Sequence, residues 1–197
     1  EAALYATFSR DIPDVLLIAS AYAEWTKIGG NTRNFLTYGG YGSGSVSDTA
    51  TYLFPRGIIM DRDLSHVLPM AQEKITEQVA RSWYDYAGGA ASALHPYQGE
   101  TAAHYTGPKP PYQWLGTDGK YSWLKAPRYD GAVMEVGPLA RVLAAYAAGV
   151  PAITKTVNST LKTLGVGPEA LYSALGRVAA RALESAIVVE RLADWLD

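Results

Sequence analysis

From Pro168 to Leu196 the chain sets Leu171, Leu175, Val178, Leu183, Ile187, Leu192 and Trp195 at helical spacing, giving one broad apolar face. A helix of this kind is stable only when that face is buried, so this part of the chain has to pack against other helices. Pro151 to Leu164 shows the same spacing and forms a pair with it. Ahead of the pair, Gly137-Pro138 places proline in the first turn of a helix carrying Leu139, Val142, Leu143 and Tyr146, and Gly149-Val150-Pro151 ends it.

Toward the other end, Asp11 to Ile28 places Ile12, Val15, Leu16, Ala19, Ala23 and Trp25 at mostly helical spacing, with Gly29-Gly30 as the stop. The pattern then changes. Phe35 to Tyr38 and Thr51 to Phe54 are rich in aromatic and β-branched residues and flank the turn-prone run Gly39 to Asp48, which predicts a hairpin-like excursion. After it, Pro69 and the spacing of Ile75, Val79 and Trp83 predict a further helix. Gly88 to Gly131 carries many Gly, Pro and Tyr residues with little periodicity and reads as long loops, pinned by neighbours or functional. The expected fold is therefore mainly α, with a small antiparallel β excursion around residues 35–60.

Bulk numbers narrow the function classes. With 197 residues, 48% of them hydrophobic, the chain buries a real core as one domain or at most two small ones. Seventeen basic and nineteen acidic residues leave a net charge of -2, and no basic run offers a track for nucleic acid or an anionic membrane. The apolar stretches Val15–Ala23 and Val142–Ala148 fall short of the roughly 20 residues a bilayer span requires. The sequence opens at Glu1 without the basic and apolar regions of a signal peptide, so it reads as a cut end rather than a start. No cysteine is present, so any thiolate-held metal is ligated elsewhere.

Few residues invite chemistry by themselves. His66, His95 and His104 share no metal-ligand spacing and are expected to serve as hydrogen-bonding residues at or near the surface. Glu73 and Glu77 stand one helical turn apart, which in isolation describes a solvated helix face. Fourteen tyrosines and the turns at Tyr97–Thr101 and Tyr105–Pro108 also suit sugar stacking, but a glycosidase needs a carboxylate pair whose separation no sequence reveals. Ser122 to Tyr129 is more unusual: two cations and two aromatics share a short, proline-restricted segment, and its geometry is expected to be pinned.

Lys125-Ala126-Pro127-Arg128-Tyr129-Asp130-Gly131, followed by Met134-Glu135-Val136-Gly137-Pro138-Leu139-Ala140-Arg141, resembles a segment of nickel-iron hydrogenase large subunits. Three further stretches are similar to the same family in the same order: Gly29-Gly30-Asn31 with Asn34 to Gly39, Phe54 to Ile59, and Ile75 to Glu77 with Val79 and Ser82-Trp83-Tyr84. The run His95 to Thr101 with Tyr105-Thr106-Gly107 is similar to its connecting loop. Beyond Tyr146 the similarity rests on helical pattern.

The resemblance implies reversible oxidation of H2 to protons and electrons, at a nickel-iron centre with CN and CO on the iron. It implies an iron-sulfur small subunit that takes the electrons, and a magnesium ion nearby. The family holds its bimetallic centre on two cysteine-pair motifs near the ends of the subunit, and this sequence contains neither. Residues 1–197 are thus expected to be the central part of one large-subunit domain, not an independent folding unit, that supports the metal site without ligating it. By the same resemblance Glu77 and Lys125 match positions that bond waters on magnesium, and Arg128 and Glu135 extend that charge network. An internal salt bridge fixing the loop to the next helix stays open for the latter two. Partners implied are the small subunit and the remaining parts of the large subunit, and the location is the periplasmic side of the cytoplasmic membrane, with the cytoplasm left open. Two other readings stand beside this one: the quinone-reactive large subunit of respiratory complex I, which also lacks these cysteines, and a non-enzymatic helical scaffold docking through its Tyr97 to Trp123 loops.

Overall fold

The computed structural model describes residues 2–45, 47–89, 92–111, 113–116 and 118–196. Chain contacts divide into two compact units, residues 1–70 with 135–197, and residues 71–134.

In the first unit, α1 (Ala2–Ala21) is followed by a 3-10 turn at Ala23–Lys27. The helix starts well before Asp11 and runs through Pro13, which costs it one N–H donor. The side chains of Ile12, Val15, Leu16 and Ala19, which carried the expected apolar face, lie outside the described residues. The excursion at residues 35–60 is two nested antiparallel pairs. β1 (Phe35–Thr37) pairs with β4 (Gly57–Ile59), and between them β2 (Gly40–Gly42) pairs with β3 (Tyr52–Phe54).

Three helices follow: α2 (Pro138–Ala147), α3 (Pro151–Leu164) and α4 (Ala174–Leu196). Proline opens both α2 and α3, and α3 stops at Gly165, whose left-handed φ of 66° lets its N–H close on the Leu161 and Lys162 carbonyls. Pro168–Tyr172 forms a 3-10 turn, separated from α4 by extended Ser173, so the expected single helix is broken and Leu171 lies before the break. The core joins Phe35, Phe54 and Ile59 of the strands to Leu139, Val142 and Leu143 of α2, Ile153 and Val157 of α3, and Ile187 of α4. Burying each such side chain contributes about 1.5–3 kcal/mol before chain entropy is counted.

The second unit overturns the helix expected from Pro69. Gln72–Lys74 is a 3-10 turn, and Ile75–Gln78 is strand β5. The physical reason is that the spacing reports burial and not conformation: Ile75 is buried on β5, Val79 just past its end, and Trp83 beyond the turn in which the Ser82 N–H donates to the Val79 carbonyl. The loops expected at 88–131 likewise contain short strands. β6 (Tyr84–Tyr86) pairs with β8 (Thr101–Ala103), and a four-stranded antiparallel sheet takes the order β10 (Ala132–Val133), β9 (Ala126–Tyr129), β5, β7 (Ala93–Leu94). With helix at 40% and strand at 19%, the chain is helical at both ends and β in its middle, a more mixed fold than mainly α. Among the described residues no helix is long and apolar enough to cross a membrane.

Candidate functional site

β5 lies between β7 and β9, and this central place puts Glu77 opposite Pro127 on one side and Leu94 on the other. Pro127 donates no ladder hydrogen bond, and Lys125 stands just before β9 begins. Its Nζ reaches Glu77 Oε2 at 3.1 Å, with both side chains 28% exposed. The ammonium also stands 5.6 Å from the centre of the Tyr84 ring. Two motif residues 48 positions apart are thereby held as a half-buried ion pair against an aromatic face. Glu73, expected on the same helical face as Glu77, sits instead in the 3-10 turn before the strand.

The remaining two candidates have their own partners. Arg128 pairs through its backbone with Thr76 and Val133 and donates from Nη1 to the Pro127 carbonyl at 3.0 Å. Glu135, in the other unit, is gripped in a two-point fork by Arg177, with Nε to Oε1 at 2.7 Å and Nη2 to Oε2 at 2.6 Å. Arg177 Nη1 further donates to the Gly29 and Tyr172 carbonyls at 2.7 and 2.8 Å. The salt bridge that fixes Glu135 thus reaches α4.

The histidines take surface hydrogen-bonding places. His104 Nδ1 lies 2.8 Å from Asp85 Oδ1, and His95 Nδ1 accepts from the Tyr97 N–H at 3.2 Å. His66 Nδ1 lies 2.8 Å from Ser65 Oγ. Hydrogen bonds from the Ser65 side chain and backbone hold the neighbouring Asp63 carboxyl below the ordinary carboxylate range.

Sequence reading missed Arg62, Arg177 and Glu184. Glu184 is 5% exposed on α4 and accepts a fork from Arg141, Nε to Oε1 at 2.5 Å and Nη2 to Oε2 at 2.9 Å. A signal existed: Ala180, Glu184 and Ile187 fall at i, i+4 and i+7, so a carboxylate on the buried stripe of α4 required a cation. Arg62 lies over the Tyr172 ring at 4.4 Å and donates to the Thr32 and Gly30 carbonyls. No sequence spacing announces that contact.

A thiolate-bridged nickel-iron centre does not fit the donors of this chain. Cysteine is absent, and among the described residues no group of three or more His, Asp or Glu side chains converges as a metal site. What the arrangement offers is a charge pair able to order water, with Glu77 as acceptor and Lys125 as donor.

The uptake hydrogenase large subunit of Rhizobium leguminosarum bv. viciae is 40% identical over 88% of this chain and 31% of its own length. The quinone-reactive Ni/Fe-hydrogenase large chain of Wolinella succinogenes is 36% identical over 87% of this chain and 31% of its own. Among solved structures, the Ni-Fe-Se hydrogenase from D. vulgaris Hildenborough in its reduced state is similar at 27% identity and a TM-score of 0.64, covering 95% of this chain and 36% of that one. The chain spans about a third of the length of the curated relatives it matches. Since the family model described as nickel-dependent hydrogenase matches residues 7–197, nearly the whole sequence, the chain belongs to that family.

Proposed function

We propose that residues 1–197 are the central part of one domain of a nickel-iron hydrogenase large subunit, which oxidises H2 reversibly and passes electrons to an iron-sulfur small subunit. The family match across residues 7–197 carries this reading. It takes precedence over a complex I subunit or a helical scaffold because the relatives described above bear hydrogenase names. In the complete subunit a nickel-iron centre with CN and CO ligands supplies the hydrogen chemistry, and its ligands come from outside this chain, which has no thiolate.

The contribution of this chain is support. Glu77 and Lys125 would order the waters around a magnesium ion, the carboxylate as hydrogen-bond acceptor and the ammonium as its counter-charge and donor. Arg128, on the neighbouring strand β9, adds a positive charge to the same sheet, and Glu135 serves as the internal salt bridge to Arg177 of α4. The working location is the periplasmic side of the membrane, reached through partner subunits.

The test uses the complete heterodimer. Lys125→Ala and Glu77→Gln each lower the rate of hydrogen oxidation about 10–100-fold, the usual cost of losing an outer-layer partner, with nickel content unchanged. Uptake rates equal to the parent enzyme would remove both residues from the network.

A further inference from the structure

The arginine forks on Glu135 and Glu184 fix both partners by two parallel bonds, whereas Lys125 meets a single Glu77 oxygen at 3.1 Å. A lysine is a point charge on a flexible stem, so that one contact leaves the direction of the ammonium open. The Tyr84 ring supplies a second hold. Its centre lies 5.6 Å from Nζ, within the range at which a ring face attracts a cation, and Nζ meanwhile donates to Glu77.

The ring is held in turn by its own surroundings. Tyr84 opens β6, and its carbonyl accepts from Lys120 Nζ. The Trp123 ring meets it edge to face at 5.5 Å and 72°, and Trp123 packs in the same way on buried Trp83 at 5.3 Å. Residues 81–83 are tied to the segment that leads into Lys125. The Tyr121 N–H donates to the Arg81 carbonyl and the Trp83 N–H to the Ser122 carbonyl, both at 2.9 Å. The Trp83 indole N–H donates to the Lys120 carbonyl at 3.1 Å, and Ser82 Oγ donates to the Leu124 carbonyl. These bonds fix where the Lys125 stem begins, and the ring fixes where it ends.

We propose that Tyr84 is a positioning residue: its ring directs the Lys125 ammonium toward Glu77 and so sets the pair that orders water. The inference rests on the function proposed above and names the residue through which Lys125 is aimed. A cation–π contact biases an equilibrium by roughly 2- to 30-fold, so losing the ring costs less than losing the ammonium itself.

The experiment uses the complete heterodimer. Tyr84→Leu and Tyr84→Met remove the ring, and each is expected to lower the rate of hydrogen oxidation about 3–10-fold, while Tyr84→Phe stays within about twofold of the parent. Added to Lys125→Ala, Tyr84→Leu has no further effect, because the group that the ring aims is gone. A crystal structure of each variant reads the geometry independently of activity. Without the ring, Lys125 Nζ is expected to stand beyond the roughly 4 Å reach of an ion pair with Glu77, and with phenylalanine it stays paired. An equal loss in Tyr84→Phe assigns the effect to the hydroxyl, and an equal loss with and without Lys125 shows that the ring only packs. Either result overturns the proposal, as does an unmoved ion pair in Tyr84→Leu; if that variant does not assemble, Tyr84→Met decides the same points. The function proposed above fails separately: Lys125→Ala at the parent rate removes the water network, while the crystal structures still report whether the ring aims the ammonium.

Discussion

Glu184 shows how one buried charge decides a local structure. Its carboxylate has lost water, and the Arg141 fork replaces the missing hydrogen bonds across α2 and α4. Glu184→Gln leaves Arg141 without its anion, and a loss of about 3 kcal/mol in unfolding free energy, read from urea denaturation, is expected. A change under about 0.5 kcal/mol, the scale of an ordinary surface substitution, would show that the pair contributes nothing net. Tyr172 offers a test at high pH. Burial pushes its phenol above the ordinary tyrosine range, and the Arg62 guanidinium over the ring offsets part of that rise. Because the folded state holds this proton more tightly, the contribution is fully present below the ordinary value of about 10 and is lost as pH rises through the folded value. Tyrosinate absorbance should show one late-titrating group that Tyr172→Phe removes, and the variant should lose less stability above that pH than the parent.

At the scale of elements, the nested strand pairs turn on Gly39. Its φ of 80° lies in the left-handed region, and a Cβ there would stand 2.5 Å from the Tyr52 ring and 2.8 Å from the Phe54 carbonyl. Gly39→Ala is therefore expected to lower stability by at least about 1–3 kcal/mol, while Gly40→Ala, with open space around its Cβ, changes it little. Equal melting temperatures for the two variants would refute this account. Elements also separate what was legible from what was not. α2 and α3 were readable because proline and glycine mark their ends and the apolar spacing fits a helix. β5 was not, since Ile75, Val79 and Trp83 repeat every fourth residue as a helix face does, although only Ile75 lies on the strand and the other two are buried beyond its end. The strands within 88–131 run only two to four residues, too short for alternation to declare itself.

At the scale of the whole molecule, the chain belongs to the family, while the reaction proposed for the complete subunit needs groups this chain does not carry. Expressed alone and desalted, the 197-residue polypeptide is expected to retain well under one equivalent of nickel by elemental analysis, because soft thiolate donors are absent. Stoichiometric nickel bound to it would contradict the donor argument. The sequence by itself determined the family, the helices α2 and α3 and the want of thiolate, because motifs, periodicity and composition are local properties read along the chain. Only the tertiary structure decided that Glu77 meets Lys125, that Arg177 closes on Glu135, and that Arg141 answers Glu184. Those pairings join residues more than forty positions apart, and strand register and helix packing set them, neither of which is encoded in any one segment.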